Sequence, residues 1–252
     1  MSDKGQIPTN LRLFVLVEYI AAQGLPQSPN ALSIALGLPK PTIHRLLATA
    51  EDEGLLQRDI DGRSFGPGTR LRKLAAHTLS SQRLRTERLL VMKSLAEEVG
   101  ETCNLAAPGR SMMVYLDRVE THWPLRIQLP VGTQVPFHCT ASGKMYLSSL
   151  RSDKFRRLLE MLPREKMTGR TIVNADRLAD EMSMIRERGF STDNQEFMDG
   201  MAAIAVPIRD DSGRLLTTLS LHAPVQRKSV AALSESYEVL KNAASQLEDL
   251  LT

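Results

Sequence analysis

Residues 28–66, SPNALSIALGLPKPTIHRLLATAEDEGLLQRDIDGRSFG, decide the fold. Two short amphipathic segments flank the turn Gly37-Leu38-Pro39, and a basic hairpin follows. Ser28 can cap a helix whose first turn holds Pro29, because proline is tolerated where the backbone N–H has no helical acceptor. Leu32, Ala35 and Leu36 recur at helical spacing. Gly37 supplies the left-handed residue that ends the helix. Pro39 and Pro41 fit only the start of a second helix. Ile43, Leu46, Leu47 and Ala50 form its buried stripe. Asp61-Gly62 is a type I′ hairpin signal. This order of parts is that of a winged helix-turn-helix. A plain helical hairpin with solvated charges would leave the wing unexplained.

The implied partner is duplex DNA. A helix entering the major groove reads base edges with residues near its N-terminus. Lys40, Thr42, His44 and Arg45 stand off the buried stripe. Arg45 can bond guanine bidentately; Thr42 and His44 can touch base edges or phosphate. Arg58 and Arg63 bracket the turn and suit a wing along the phosphate backbone or minor groove. Arg83, Arg85 and Arg88 invite the same reading, but a solvated helix face accounts for them more simply.

The chain of 252 residues has 42% hydrophobic and 24% charged residues, an ordinary globular composition with room for two domains. Its formal net charge of +3 permits nucleic-acid binding without demanding it. Aromatic content of 4% disfavours base-stacking platforms. Two cysteines, Cys103 and Cys139, lack CxxC spacing and point to a reducing compartment, the cytoplasm. No signal peptide or membrane span is expected.

Periodicity divides the chain into a DNA-binding domain over 1–67, a linker helix over 68–82 and an α+β domain over 83–252. Residues 1–10 read as a polar arm, with Thr9 or Asn10 capping a helix to about Gln23. Ser80-Ser81 can break the linker, and a further helix runs to Val99, capped by Gly100. TCNLAAP, MMVYLDRV and LRIQLPV read as the first three strands. Helices follow at 140–150, 154–162 and 175–188. GFSTDN, MAAIAVPI and LLTTLSLHA are the last strands, and one helix closes the chain over about 229–250. The result is a curved antiparallel sheet flanked by helices.

Several motifs in this order resemble the IclR family of bacterial transcriptional regulators, along nearly the whole chain. KPTIHRLLATAEDEGLL with SFGPGTRLRKLA is similar to the family's recognition helix, wing and linker. GETCNLAAPGRSMMVYLDRVE, PFHCTASGKMYLSSL and RERGFSTDNQEFMDGMAAIAVPIRDDSGRLLTTLSLHAP resemble its effector domain. The resemblance implies a GAF-like effector-binding domain, a homodimer or dimer of dimers, and DNA affinity that answers to a small molecule. It carries an effector pocket onto Cys139, Thr140, Ala141, Ser142, Gly143, Asp193, Met201, Ala203, Ser220 and His222. The residues agree with this. A helix starting near Thr140 turns free N–H groups toward a cavity, and Ser220 and His222 share one face of a strand. A carboxylate suits such a site. Asn194-Gln195-Glu196 stands where the family often has paired glutamates, and Ala223-Pro224 where it usually has Gly-Pro. His222 replaces a small or hydroxyl residue; an imidazole there can pair with an anion or shrink the pocket.

Sharper chemistry finds little support. His138, Cys139, Asp193 and His222 fit no metal-ligand spacing, no cofactor is implied, and a nucleophilic Cys139 would need a lowered pKa. Ser142-Gly143-Lys144 resembles the tail of a phosphate loop, but His138 and Met145 break that motif; Lys144 reads instead as a surface charge or salt-bridge partner. Gly109-Arg110-Ser111 lacks the closing glycine of a nucleophile elbow. Met112, Met113, Met182, Met184 and Met198 read as core filler. The alternatives to a regulator are a small-molecule-converting enzyme with a vestigial helix-turn-helix, for which no convergent acid–base set is visible, and a protein-interaction module.

Overall fold

The computed structural model describes residues 7–59, 61–79, 82–124 and 129–250, without the side chains of 76–79 and 82–84. It divides into two compact units, residues 1–82 and 83–252.

The first unit is three helices, a wing and a fourth helix: α1 (Arg12–Gln23), α2 (Pro29–Leu36), α3 (Lys40–Asp52), β1 (Leu56–Arg58), β2 (Phe65–Pro67) and α4 (Thr69–Leu79). Leu16, Ile20, Leu32, Ile43, Leu47, Leu56 and Phe65 form its core. Ser28 caps α2 by accepting from the Ala31 N–H at 3.2 Å, and Gly37 ends it with φ +64°. Pro39 and Pro41 open α3. Neither Thr9 nor Asn10 caps α1. Leu11 stands at that position and its N–H donates to Pro8 O, a plain turn.

The wing differs from the expected two-residue turn. Of Asp61 and Gly62 only Gly62 has positive φ, and a type I′ turn there needs both. The strands end instead at an Asp59 N–H to Ser64 O bond, with four residues between. The Asp61 carboxylate accepts from the Arg63 and Ser64 N–H groups and from the Ser64 hydroxyl. That side-chain cap replaces the second left-handed residue. Ile60 lies outside the described residues.

The second unit runs α5 (Gln82–Val99), β3 (Thr102–Pro108), β4 (Met112–Val119), β5 (Gln134–Pro136), α6 (Ala141–Ser149), α7 (Ser152–Met161), α8 (Ala175–Arg188), β6 (Ser191–Asn194), β7 (Met201–Arg209), β8 (Leu215–Pro224), α9 (Val230–Ser234) and α10 (Tyr237–Asp249). The curled antiparallel sheet has the order β5-β4-β3-β8-β7-β6. Among the described residues the third strand is Gln134–Pro136, which lies beyond the expected LRIQLPV. Residues 125–128 of that segment lie outside the described residues, as do the 80–81 break and the Arg83 side chain, while 129–131 are not extended into the sheet. The closing helix is two helices. Ser234 bonds back to Val230 O and the Ser236 N–H turns to Leu233 O, so the intervening serines take up backbone bonds and break the run.

The two sheet faces differ in kind. Cys103, Leu105, Ala202, Ile204, Val206, Leu219, Leu221 and Ala223 pack against α5, α9 and α10. The other face meets α6, α7 and α8 through Ala106, Ala203 and Ala205 in β3 and β7 and through the larger Met113, Tyr115, Val135 and Leu215. A bulge in β4 opposite Leu105/Ala106 lets Asp117 face α5. There it binds Arg88, which is 5% exposed, and Arg85 at 3.1 Å. These arginines therefore tie α5 to the sheet, which overturns the solvated-face reading for Arg88. Met113 and Met182 are buried, but Met112, Met184 and Met198 are exposed and fill no core. No helix among the described residues is long and apolar enough to cross a membrane.

Candidate DNA-binding surface and effector site

On α3, Lys40, His44 and Arg45 are exposed and Thr42 is half-buried. The stripe Ile43, Leu46, Leu47 and Ala50 anchors the opposite side. Arg63 is exposed at the wing tip. Arg58 is committed elsewhere: it bonds both Glu51 carboxylate oxygens, at 2.9 and 3.0 Å, and lies over the Phe65 ring at 4.7 Å. It fastens the wing to α3, so a phosphate would have to compete with Glu51 for it.

The second site is built by register. Residues directly opposite in a ladder share a face. One rung crosses four strands as Asp193, Ala203, His222 and Thr102. The next crosses five as Ser191, Ala205, Ser220, Asn104 and Arg118. Met201 sits one further step along the same face of β7. All but Arg118 are buried as whole residues, and only 5% of the Arg118 side chain is exposed.

The first turn of α6 covers this face. Thr140 accepts from the Gly143 N–H at 3.1 Å and donates to Pro136 O at 2.7 Å. The Ser191 hydroxyl donates to Ala141 O at 2.6 Å, pinning α6 to β6. Thr168 and Thr171 donate to the Gln195 and Glu196 carbonyls, both at 2.7 Å, and hold the loop after β6. Lys144 is fully buried, with Nζ 2.5 Å from Glu196 and 3.6 Å from Glu181. It is thus a salt-bridge partner and not a surface charge.

Buried polar atoms without partners gather here. Among the described residues seven side-chain atoms are in that state: three lie on this face, Asn104 Nδ2, Asp193 Oδ2 and His222 Nδ1, and two more on the elements beside it, Ser142 Oγ on α6 and Glu196 Oε2 in the loop after β6. Native interiors leave few such atoms, so the concentration marks a place built to receive polar groups.

The electrostatics set an acid apart from a base. Burial, and then Glu196, pushes the Asp193 carboxyl up to about 7. Burial and Arg118 push His222 down to about 3. At physiological pH His222 is therefore neutral, a hydrogen-bonding group and not the cation that would pair an anion. Its Nε2 lies 3.0 Å from Ser220 Oγ. Burial and the neighbouring acids push the Cys139 thiol upward, opposite to a nucleophile's requirement. His138 turns aside to Glu165 O, and among the described residues no three metal-binding side chains cluster.

Asp193 gives a pH-dependent prediction. An unfolded chain releases this proton near pH 4, whereas the folded one holds it to about pH 7. The wild type thus loses stability from this group as pH rises through that window. Asp193→Asn keeps the oxygen that accepts from the Glu196 and Phe197 N–H groups. Its stability advantage over wild type should grow from pH 4 to pH 7 and then level off in urea titrations. A constant difference across that range would contradict the assignment.

The resemblance named Cys139 to Gly143, Asp193, Met201, Ala203, Ser220 and His222, and each of these residues is buried. It missed Thr102, Asn104, Arg118, Lys144 and Glu196. The alternation of Thr102, Asn104 and Ala106 with Cys103 and Leu105 was the available signal.

Comparison with known proteins agrees with this architecture. The model for the IclR helix-turn-helix domain matches residues 11–59, and that for the bacterial transcriptional regulator IclR C-terminal domain matches residues 76–249. The probable transcriptional regulator SauR of Cupriavidus necator is 36% identical over 94% of each chain. The transcriptional repressor IclR of Escherichia coli is 26% identical, over 96% of this chain and 89% of its own. An IclR homologue from Microbacterium hydrocarbonoxydans, solved with 4-hydroxybenzoate, superimposes with a TM-score of 0.61 at 24% identity, covering 97% of this chain and 99% of its own. The families and relatives are transcriptional regulators and not enzymes. A winged helix-turn-helix joined to a curled sheet with helices on both faces, matched by both family models, makes this chain a member of the IclR family of bacterial transcriptional regulators.

Proposed function

We propose that this protein binds operator DNA in the cytoplasm as a homodimer or dimer of dimers, and that a small carboxylate held beneath α6 changes its affinity. The observation that carries the effector half is the set of unpartnered buried atoms on one sheet face, α6 and the loop after β6, in a chain that also carries a winged helix-turn-helix. The Ala141 and Ser142 amides in the first turn of α6 have no helical acceptor and favour an anion, while the Gly143 N–H is taken by Thr140. Asp193, half protonated near neutrality, opposes such a guest only weakly. The relative solved with 4-hydroxybenzoate supports the same ligand class. A twofold dimer would set two α3 helices about 34 Å apart along one face of the duplex. The acid can favour one placement of those helices only through a difference in affinity for the alternatives.

The DNA half rests on Arg45, exposed near the start of α3. Arg45→Ala should weaken binding to DNA from upstream of the protein's own gene by about 1–3 kcal/mol and relax selectivity at one base position. Fluorescence anisotropy on specific and scrambled duplexes reads both. Equal loss on the two duplexes would assign Arg45 to phosphate and remove it from base reading.

A further inference from the structure

The polar face of the sheet holds one amide whose orientation is fixed by chemistry. Asn104, in the middle of β3, is fully buried. Arg118 stands directly opposite on β4 and donates from Nη1 to Asn104 Oδ1 at 3.0 Å. A guanidinium has only donors, so the atom it meets must be the amide oxygen. Arg118 is itself steadied by Glu120 Oε1 at 2.8 Å. The amide nitrogen is therefore turned away from Arg118, and it has no acceptor. Ser220 is its neighbour on the same rung, and the unpartnered Nδ1 of His222 lies one rung along.

We propose that Asn104 Nδ2 is the donor that selects a carboxylate in the effector site, with Arg118 as the positioning residue that aims it. This rests on the reading of that face as a small-acid pocket. The free oxygens of Asp193 and Glu196 lie toward the β6 edge, where the pocket needs a hydrogen-bond donor from its guest. A ligand with a carboxylate toward β3 and a hydroxyl toward β6 meets both requirements. The class is a small hydroxy acid.

The test is a thermal-shift titration of the full-length protein with lactate, 4-hydroxybenzoate, their deoxy counterparts propionate and benzoate, and the primary amide of each. In the wild type a hydroxy acid should stabilise more than its deoxy counterpart and more than its amide. Asn104→Asp can pair with Arg118 and keep the fold, but it faces the guest with a second carboxylate. Its apparent Kd for that acid should rise at least about 30-fold. Arg118→Gln lets the amide turn over. The preference for acid over amide should collapse while affinity for the amide stays within about threefold. Should Asn104→Asp fold poorly, Arg118→Gln decides the matter by that ratio.

An Asn104→Asp protein stabilised by the same acid as strongly as wild type would overturn the donor role and leave the pocket reading intact. An Arg118→Gln protein with an unchanged acid-to-amide ratio would overturn the positioning role. A wild type that none of the acids stabilises would instead contradict the small-acid pocket itself.

Discussion

Lys144→Met should destabilise the second unit by about 3–5 kcal/mol, because it leaves the buried Glu196 carboxylate without its cation. Lys144 is 1% exposed, and its ammonium bonds Glu196 and approaches Glu181. Glu181 keeps Arg188, at 2.8 Å, but Glu196 has no other cation within salt-bridge distance among the described residues. Methionine matches the stem of lysine in length, so packing changes little and the loss is electrostatic. At about 2–4 °C per kcal/mol for a domain of this size, the melting temperature should fall by about 10 °C. Adding Glu196→Gln removes the stranded charge and should restore part of the loss. A thermal melt of the single and double variants checks both. Equal instability of the two would show that Lys144 acts through packing and not through charge.

Gly143→Ala is the second large effect, expected at about 3 kcal/mol or more. A Cβ at this position would lie 2.4 Å from both the Cα and the carbonyl oxygen of Phe137. Those are backbone atoms, so no side chain can swing aside, and overpacking against an immovable wall costs more than the usual 1–3 kcal/mol. Relief requires α6 to rise off the segment before it, which would also open the cover of the effector face. Urea unfolding should show the lost stability, and any acid that stabilises the wild type should stabilise this variant less. A variant with unchanged midpoint and unchanged ligand response would mean that α6 shifts freely.

The DNA-binding unit was legible because its signals are local. Ser28, Gly37, Pro39 and Pro41 fix helix ends within a few residues of themselves, and each acts as read. The wing turn was misread because Asp61 supplies through its side chain what a type I′ turn takes from backbone conformation. The fate of Arg58 depended on Glu51, seven residues away, and pattern reading had no means to see it. In the second unit strand alternation placed Ser220 and His222 on one face, but only the pairing of β8 with β3 and of β3 with β4 adds Asn104 and Arg118 to it. The first of those pairings joins residues more than a hundred positions apart, and the register of the second is shifted by the bulge in β4. The family resemblance points to the first turn of α6, which covers the polar sheet face, while Lys144 stays ambiguous in sequence because a charged residue's burial depends on its partner. Glu196, its partner, lies 52 residues downstream. Gln195, next to it, takes φ +62° and accepts from the Gly200 N–H, a local turn that shapes the loop after β6.

The most direct test is an anisotropy titration of the full-length protein on its own upstream DNA, with and without an acid that stabilises it. Specific binding should exceed scrambled-duplex binding by at least about 10³-fold at physiological salt, and the acid should change the specific affinity by at least about fivefold. Equal affinity for both duplexes, or a specific affinity that no stabilising acid alters, would contradict the account.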